Sequence, residues 1–215
     1  MKRFPDAFCH EVRRRRARTS NGELLLAALR VFSKHGYVAT RMDDIAAMAG
    51  ISKGALYLHF LNKEELFKAV VRENAGFNPA EIETLVERSE VDCQQLLRIV
   101  LHEISERLCR TPLSDIARLV VAEAGNFPEL LRFYYEEVVV PIEAIVTRVL
   151  LRGVDRGEFR IHDVAHGASI IVAPMMLSAM SHSSEMSIGK ECGLHEDLLA
   201  DLLFSGLVQT NPPSS

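Results

Sequence analysis

Residues 20–71 read SNGELLLAALRVFSKHGYVATRMDDIAAMAGISKGALYLHFLNKEELFKAVV, and this stretch decides the fold. Ser20 and Glu23 have the S-x-x-E spacing of a capping box, in which each side chain satisfies an unpaired amide at a helix start. Leu24, Ala28 and Phe32 recur at i, i+4 and i+8 with Ala27 and Val31 beside them, which is the apolar stripe of a helix. Lys34 and His35 suit the negative end of that helix and Gly36 suits the left-handed position after it, so the helix is predicted to stop there. Thr40 is expected to cap a second helix, with Asp43 and Asp44 in its first turn and Ile45, Ala46 and Ala49 facing inward. Gly50 supplies backbone freedom for a turn, and Ile51 plugs the space between helices. Ser52 caps a third helix that turns Leu56 and Phe60 inward and leaves Lys53, Gly54, Ala55, Tyr57 and His59 outside. Asn62 and Glu65 repeat the capping-box spacing and open a fourth helix at Lys63. Two short helices around a glycine turn, the second presenting small, hydroxyl and cationic side chains, suit a helix-turn-helix entering a DNA major groove.

The distribution of charge agrees. The chain carries −4 overall, yet residues 1–68 hold 13 Lys plus Arg against 7 Asp plus Glu, while residues 69–215 hold 12 against 22. The basic share lies where phosphates would be met, and an acidic body would be repelled by DNA. Arg13, Arg14, Arg15, Arg16 and Arg18 crowd the segment 1–19, which is expected to be a disordered arm; a second reading makes it an arm that follows phosphates or enters the minor groove.

A chain of 215 residues with 48% apolar content can bury a small head plus a larger body. Past the head, the periodicity predicts helices from Lys63 to about Gly76, Ala80 to Glu87, Asp92 to Cys109 and Leu113 to Ala124. A long helix is then expected from the loop Gly125–Pro128 to about Arg152 with Pro141 inside it, followed by a turn over Gly153 to Ile161. Asp163 is expected to cap a helix to about Met180, kinked near Pro174, and a loop over Ser181 to Gly193 leads to a last helix from Leu194 to Val208. The organisation read from this is a basic arm at 1–19, a helix-turn-helix domain at 20–67, a helical body at 68–210 and a disordered tail at 211–215.

The head resembles the tetracycline-repressor (TetR/AcrR-like) family of bacterial transcription regulators. The resemblance rests on Phe32-Ser33-Lys34-His35-Gly36-Tyr37, Thr40, Asp44-Ile45-Ala46 and Ala49-Gly50-Ile51-Ser52-Lys53-Gly54, then Tyr57, His59-Phe60, Asn62-Lys63-Glu64 and Leu66-Phe67. Arg41 departs from the hydroxyl residue common at its place, and Leu58 from a larger aromatic or polar group. The resemblance extends more weakly to Ala122–Leu130 and Gly153–Asp163. It implies an all-α protein with a three-helix DNA-binding head and a helical effector-binding and dimerisation body. Carried over position by position, it places Thr40, Arg41, Ser52, Lys53, Gly54, Ala55, Tyr57, His59 and Lys63 on the DNA face, with Lys53, Gly54 and Ala55 near base edges and Tyr57, His59 and Lys63 on phosphates.

The function so implied is a dimeric repressor released from a palindromic double-stranded operator by a small, largely apolar effector. An alternative keeps the DNA-binding head but makes the body a dimer scaffold or a docking surface for another protein. The dimer surface is expected on the two C-terminal helices, with Gly167, Ala168 and Ala173 allowing close approach and Ile170, Leu177, Leu198, Leu202 and Phe204 supplying apolar area. The effector pocket is expected to be walled by Leu97, Leu101, Phe127, Phe133, Tyr134, Ile170 and Met175, with Arg98, Arg118 or His166 as a polar anchor.

No enzyme motif stands against this reading. His162-Asp163-Val164-Ala165-His166 imitates the HExxH zinc pattern, but Asp is too short for the usual general base and has a capping task at a helix start. The chain has no phosphate-cradling glycine loop and no G-x-S-x-G elbow. Catalytic residues, metal and cofactor are therefore not expected. Four scattered cysteines suggest reduced thiols. The start of the sequence lacks an apolar signal-like run, and the most apolar stretch, Val164–Met180, is interrupted by His166 and Pro174. A cytoplasmic location without membrane contact is expected.

Overall fold

The computed structural model describes residues 21–75, 84, 86, 91–110, 113–181 and 201. The arm at 1–19, the Ser20 cap, most of the 80–87 helix, the 182–193 loop, the last helix apart from Asp201 and the tail all lie outside these residues. Every regular element among the described residues is a helix, as expected. The chain divides into two compact units, Met1–Asn74 and Ala75–Ser215. The first extends beyond residue 67 because one continuous helix spans that point.

In the first unit, α1 (Asn21–Ala39) buries Leu24, Leu25, Ala28, Val31 and Phe32 along the expected stripe. Gly36 breaks its helical geometry at φ 76° and ψ 168°, a region open only to glycine, so the regular part stops where the sequence suggested. The short helices α2 (Met42–Ala49) and α3 (Lys53–His59) follow, and α4 (Lys63–Ala75) completes the unit. Phe32, Tyr37 and Phe67 form an aromatic cluster, with Phe32 stacked on Tyr37 at 5.8 Å and Phe67 edge-on to both at 5.4 and 5.5 Å. Such pairs add about 0.5–1.5 kcal/mol each beyond area burial.

Thr40 does not cap α2. Arg41 occupies the N-cap position in an extended conformation without a side-chain cap bond. The Thr40 hydroxyl turns back into the core and donates to the Gly36 carbonyl at 2.6 Å. Breaking α1 at Gly36 leaves that carbonyl unpaired, and a buried acceptor without a partner costs more than a missing cap.

In the second unit, α5 (Cys93–Arg110), α6 (Leu113–Glu123), α7 (Pro128–Tyr134), α8 (Val140–Asp155) and α9 (Val164–Ser181) pack together. Helix α8 lies against α9 and α5, while α6 touches α5, α7 and α9. Leu96, Leu97, Val100, Ile104, Ile116, Val146, Leu150 and Val172 are buried in this unit. The single long helix expected after Pro128 is interrupted by a π segment, Tyr135–Val139, in which the Val140 amide bonds to Tyr135 five residues back. A wider turn immediately before Pro141 gives slack where proline cannot donate and its ring would crowd the preceding carbonyl. The turn expected from Gly153 begins later, since α8 continues to Asp155.

Candidate nucleic-acid interface

The exposed end of the first unit is built around the α2–α3 turn. Gly50 adopts φ 68° and ψ 23°, with Gly50 N–H bonding the Ala47 carbonyl at 3.2 Å and Ile51 N–H the Ala46 carbonyl at 3.0 Å. This paired closure satisfies the last carbonyls of α2 and fixes the direction in which α3 leaves. Ser52 then caps α3 by accepting from Ala55 N–H at 3.1 Å. At the far end, Asn62 accepts from Glu65 N–H at 2.9 Å and starts α4. Both caps stand where the sequence placed them.

Helix α3 is held to the core by Leu56, which is fully buried. Lys53, Gly54, Tyr57 and His59 are exposed and Ala55 is half-buried, so the outward set matches the expectation. Arg41 is exposed beside them. Lys53, Asp43, Arg41, Tyr57 and Lys63 line one open groove of about 430 Å³. Lys53 Nζ donates to Asp43 Oδ2 at 3.0 Å, lies 2.8 Å from Oδ1 in the same ion pair, and is 6.0 Å from the Tyr57 ring centre. The hydrogen bond from Asp43, and then its charge, hold the Lys53 ammonium above its ordinary pKa.

Lys63 and Thr40 do other work than expected. Lys63 Nζ donates to the carbonyls of Tyr37 at 2.6 Å, Val38 at 3.0 Å and Thr40 at 3.1 Å. An ammonium has three donors, and here all three meet carbonyls at the end of α1 and the start of the α1–α2 connection. Thr40 is 3% exposed with its hydroxyl on Gly36, so its side chain does not reach the surface.

Leu58 was missing from the expected DNA face. It is 87% exposed, and at 100° per residue it projects almost opposite Leu56, in line with Gly54 one turn earlier. The signal was present in the sequence, since two residues past a core position points away from the core. An outward leucine on such a helix is suited to apolar contact with a thymine methyl. Leu58→Ala should change thermal stability by less than about 0.5 kcal/mol. It should also weaken a preferred duplex and leave a scrambled one unchanged, measured by fluorescence anisotropy.

In the second unit, Leu97, Leu101, Phe133, Tyr134 and Met175 are buried and Phe127 is half-buried. The Tyr134 hydroxyl is buried with no hydrogen-bond partner among the described residues, and burial raises its pKa. Arg118 pairs with Asp115, but its Nε is likewise buried and unpartnered. Arg98 is engaged by Asp201 at 2.6 Å. His166 is exposed: its amide and ring both contact Asp163, at 3.0 and 2.7 Å, and its amide followed by its ring lowers the Asp163 pKa. His162 precedes the helix, so the two histidines do not share a helical face. Ile170 is 69% exposed and faces away from Met175, which removes it from an interior wall. Ile170 and Leu177, 66% exposed, instead form an outward stripe on α9 with Ala173 between them. Gly167 and Ala168 turn inward, because a Cβ at Gly167 would lie 2.2 Å from Ile161 Cδ1 and Ala168 is fully buried. Their small size serves packing within the chain. Leu198, Leu202 and Phe204 lie outside the described residues.

Comparison with known proteins follows the same division. The family described as "Bacterial regulatory proteins, tetR family" matches residues 24–70, and "AefR-like transcriptional repressor, C-terminal domain" matches residues 94–188. The DNA-binding transcriptional repressor TetR of Mycobacteroides abscessus is 30% identical over 154 residues, 70% of this chain and 80% of that protein. The HTH-type transcriptional activator FasR of Mycolicibacterium smegmatis is 51% identical over 53 residues, 25% of this chain, but the match spans only 24% of that protein. Among solved structures, the transcriptional regulator FadR of Bacillus subtilis in complex with stearoyl-CoA has a TM-score of 0.74 at 21% identity, covering 87% of this chain and 99% of that one. No described helix is long and apolar enough to cross a membrane.

Proposed function

The chain belongs to the TetR family of bacterial transcription regulators, and we propose that it is a dimeric repressor released from a near-palindromic operator by a small effector. The observation that carries the DNA-binding part is α3, anchored by Leu56 alone and presenting Lys53, Gly54, Tyr57, Leu58 and His59 outward. A single head covers one half-site, so a dimer would read two half-sites about 34–36 Å apart or a multiple of that. The outward Ile170–Leu177 stripe on α9 supports pairing of bodies, since an exposed apolar stripe on an otherwise packed helix is a contact surface.

Two orphaned donors support the effector. A buried phenol without a partner is destabilising by about 1–3 kcal/mol, and Tyr134 O–H and Arg118 Nε–H would both be satisfied by an acceptor oxygen. Leu97, Leu101, Phe133 and Met175 are apolar groups of the same unit. The effector is then a largely apolar molecule carrying a carbonyl, carboxylate or similar acceptor. The FadR relative in fold binds stearoyl-CoA, a ligand that combines an apolar chain with acceptor oxygens. Ligand shifts the protein only by its differential affinity for two body conformations.

The test is selection of preferred duplexes from a random pool, followed by a screen of apolar carboxylates and acyl compounds for release. A near-palindrome bound by a dimer and released by one such compound is the expected result. A monomer with full operator affinity at micromolar concentration would sink the dimeric reading. If no compound releases DNA, a body that acts as scaffold or protein-docking surface becomes the better account.

A further inference from the structure

The groove in front of α3 contains an anion, which is out of place on a surface meant for phosphates. Asp43 stands in the first turn of α2, and both of its carboxylate oxygens meet Lys53 at the start of α3. The side chains are 57% and 60% exposed, so the pair is solvated and packing does not enforce it. Asp44 occupies the same first turn, so the helix dipole has a carboxylate without Asp43. What Asp43 alone does is occupy Lys53.

We propose that Asp43 is a specificity-determining residue: it aims the Lys53 ammonium at a base edge and cancels its attraction to phosphates on unmatched DNA. This inference rests on the DNA-binding reading above. Lys53 has three donors. Asp43 engages one side of the ammonium across the α2–α3 turn, with Oδ2 accepting at 3.0 Å and Oδ1 at 2.8 Å in the ion pair. The donors on the other side are left pointing from a fixed base, and guanine O6 and N7 are acceptors that suit them. A lysine acting through phosphates would add about 0.9 to the salt slope of every duplex. One already paired with a carboxylate releases little counterion. Matched and unmatched sequences are thereby separated at a single residue pair.

The experiment uses the full chain with Asp43→Asn, Lys53→Met and the double variant, each checked for folding by circular dichroism. Binding to the selected operator and to a scrambled duplex is followed by anisotropy across salt concentrations. Asp43→Asn should tighten the scrambled duplex by about 3–10-fold and steepen its salt slope by about 0.9. The operator should gain less, so the specificity ratio falls. In the Lys53→Met background the same change should alter neither slope nor ratio. Equal tightening in both backgrounds would reduce Asp43 to general repulsion and overturn the inference, as would an unchanged scrambled slope in the single variant. A wild-type chain with no preferred duplex would overturn the DNA-binding reading, and this inference with it.

Discussion

Lys63→Met is expected to destabilise the helix-turn-helix unit by about 2 kcal/mol and to lower its unfolding midpoint by about 10 °C. The ammonium bonds the carbonyls of Tyr37, Val38 and Thr40, in the connection that Gly36 has freed from regular helical pairing. A single three-donor group thus ties the end of α1 to the start of α4. The Tyr37 ring, 4.6 Å from the same nitrogen, adds a cation–π contact. Charge-assisted bonds contribute about 1.5–3 kcal/mol when well buried, and the partial exposure here brings the total down. Thermal unfolding gives the stability, and binding at temperatures well below the midpoint gives the salt slope. The slope should fall by less than the ~0.9 expected for loss of a phosphate contact. A full fall of that size with unchanged stability would return Lys63 to the phosphates, where the family resemblance had placed it.

The contrast between Lys63 and Ser52 shows what the sequence could convey. Ser52, Asn62, Gly36 and Gly50 act on residues within about five positions, so their spacing was enough to place both caps and both turns. Lys63 acts on residues 23 to 26 positions away, and Asp43 on Lys53 ten positions away across a turn. Nothing in periodicity encodes such pairs. Thr40 misled because a threonine before two aspartates satisfies the cap pattern, while the carbonyl it serves becomes unpaired only once Gly36 has left the helix. On α9 the difficulty was composition. A helix apolar on nearly every side gives no hint of which face is inside, so inward Gly167 and Ala168 looked the same as outward Ile170 and Leu177. Likewise, spacing shows that Tyr134 sits on an apolar face, but only the fold shows its hydroxyl left without a partner.

Two glycines should respond to alanine with opposite signs. Both Gly153 and Gly54 are helical, and alanine is favoured over glycine inside a helix by about 1 kcal/mol. At Gly54 a new Cβ would meet nothing within 4 Å, so Gly54→Ala should stabilise the head by up to that amount. It should at the same time weaken operator binding, because the position lies on the outward line of α3 where backbone and DNA would approach. At Gly153 the Cβ would fall 2.0 Å from Phe159 Cδ2 and 2.5 Å from Cε2. The ring cannot simply swing aside, since Phe159 is almost wholly buried and Glu158 and Phe159 N–H groups bond the Gly153 carbonyl at 2.8 and 3.0 Å. Overpacking of this kind costs about 1–3 kcal/mol, and a displaced phenylalanine forfeits burial of similar size. Gly153→Ala should therefore lose about 2–3 kcal/mol net in urea unfolding, despite its better helix propensity. Combining it with Phe159→Leu should cost less than the sum of the single changes, since the smaller side chain gives the methyl room. Strict additivity, or a stabilised Gly153→Ala, would mean that the ring does not hold this end of α8 in place.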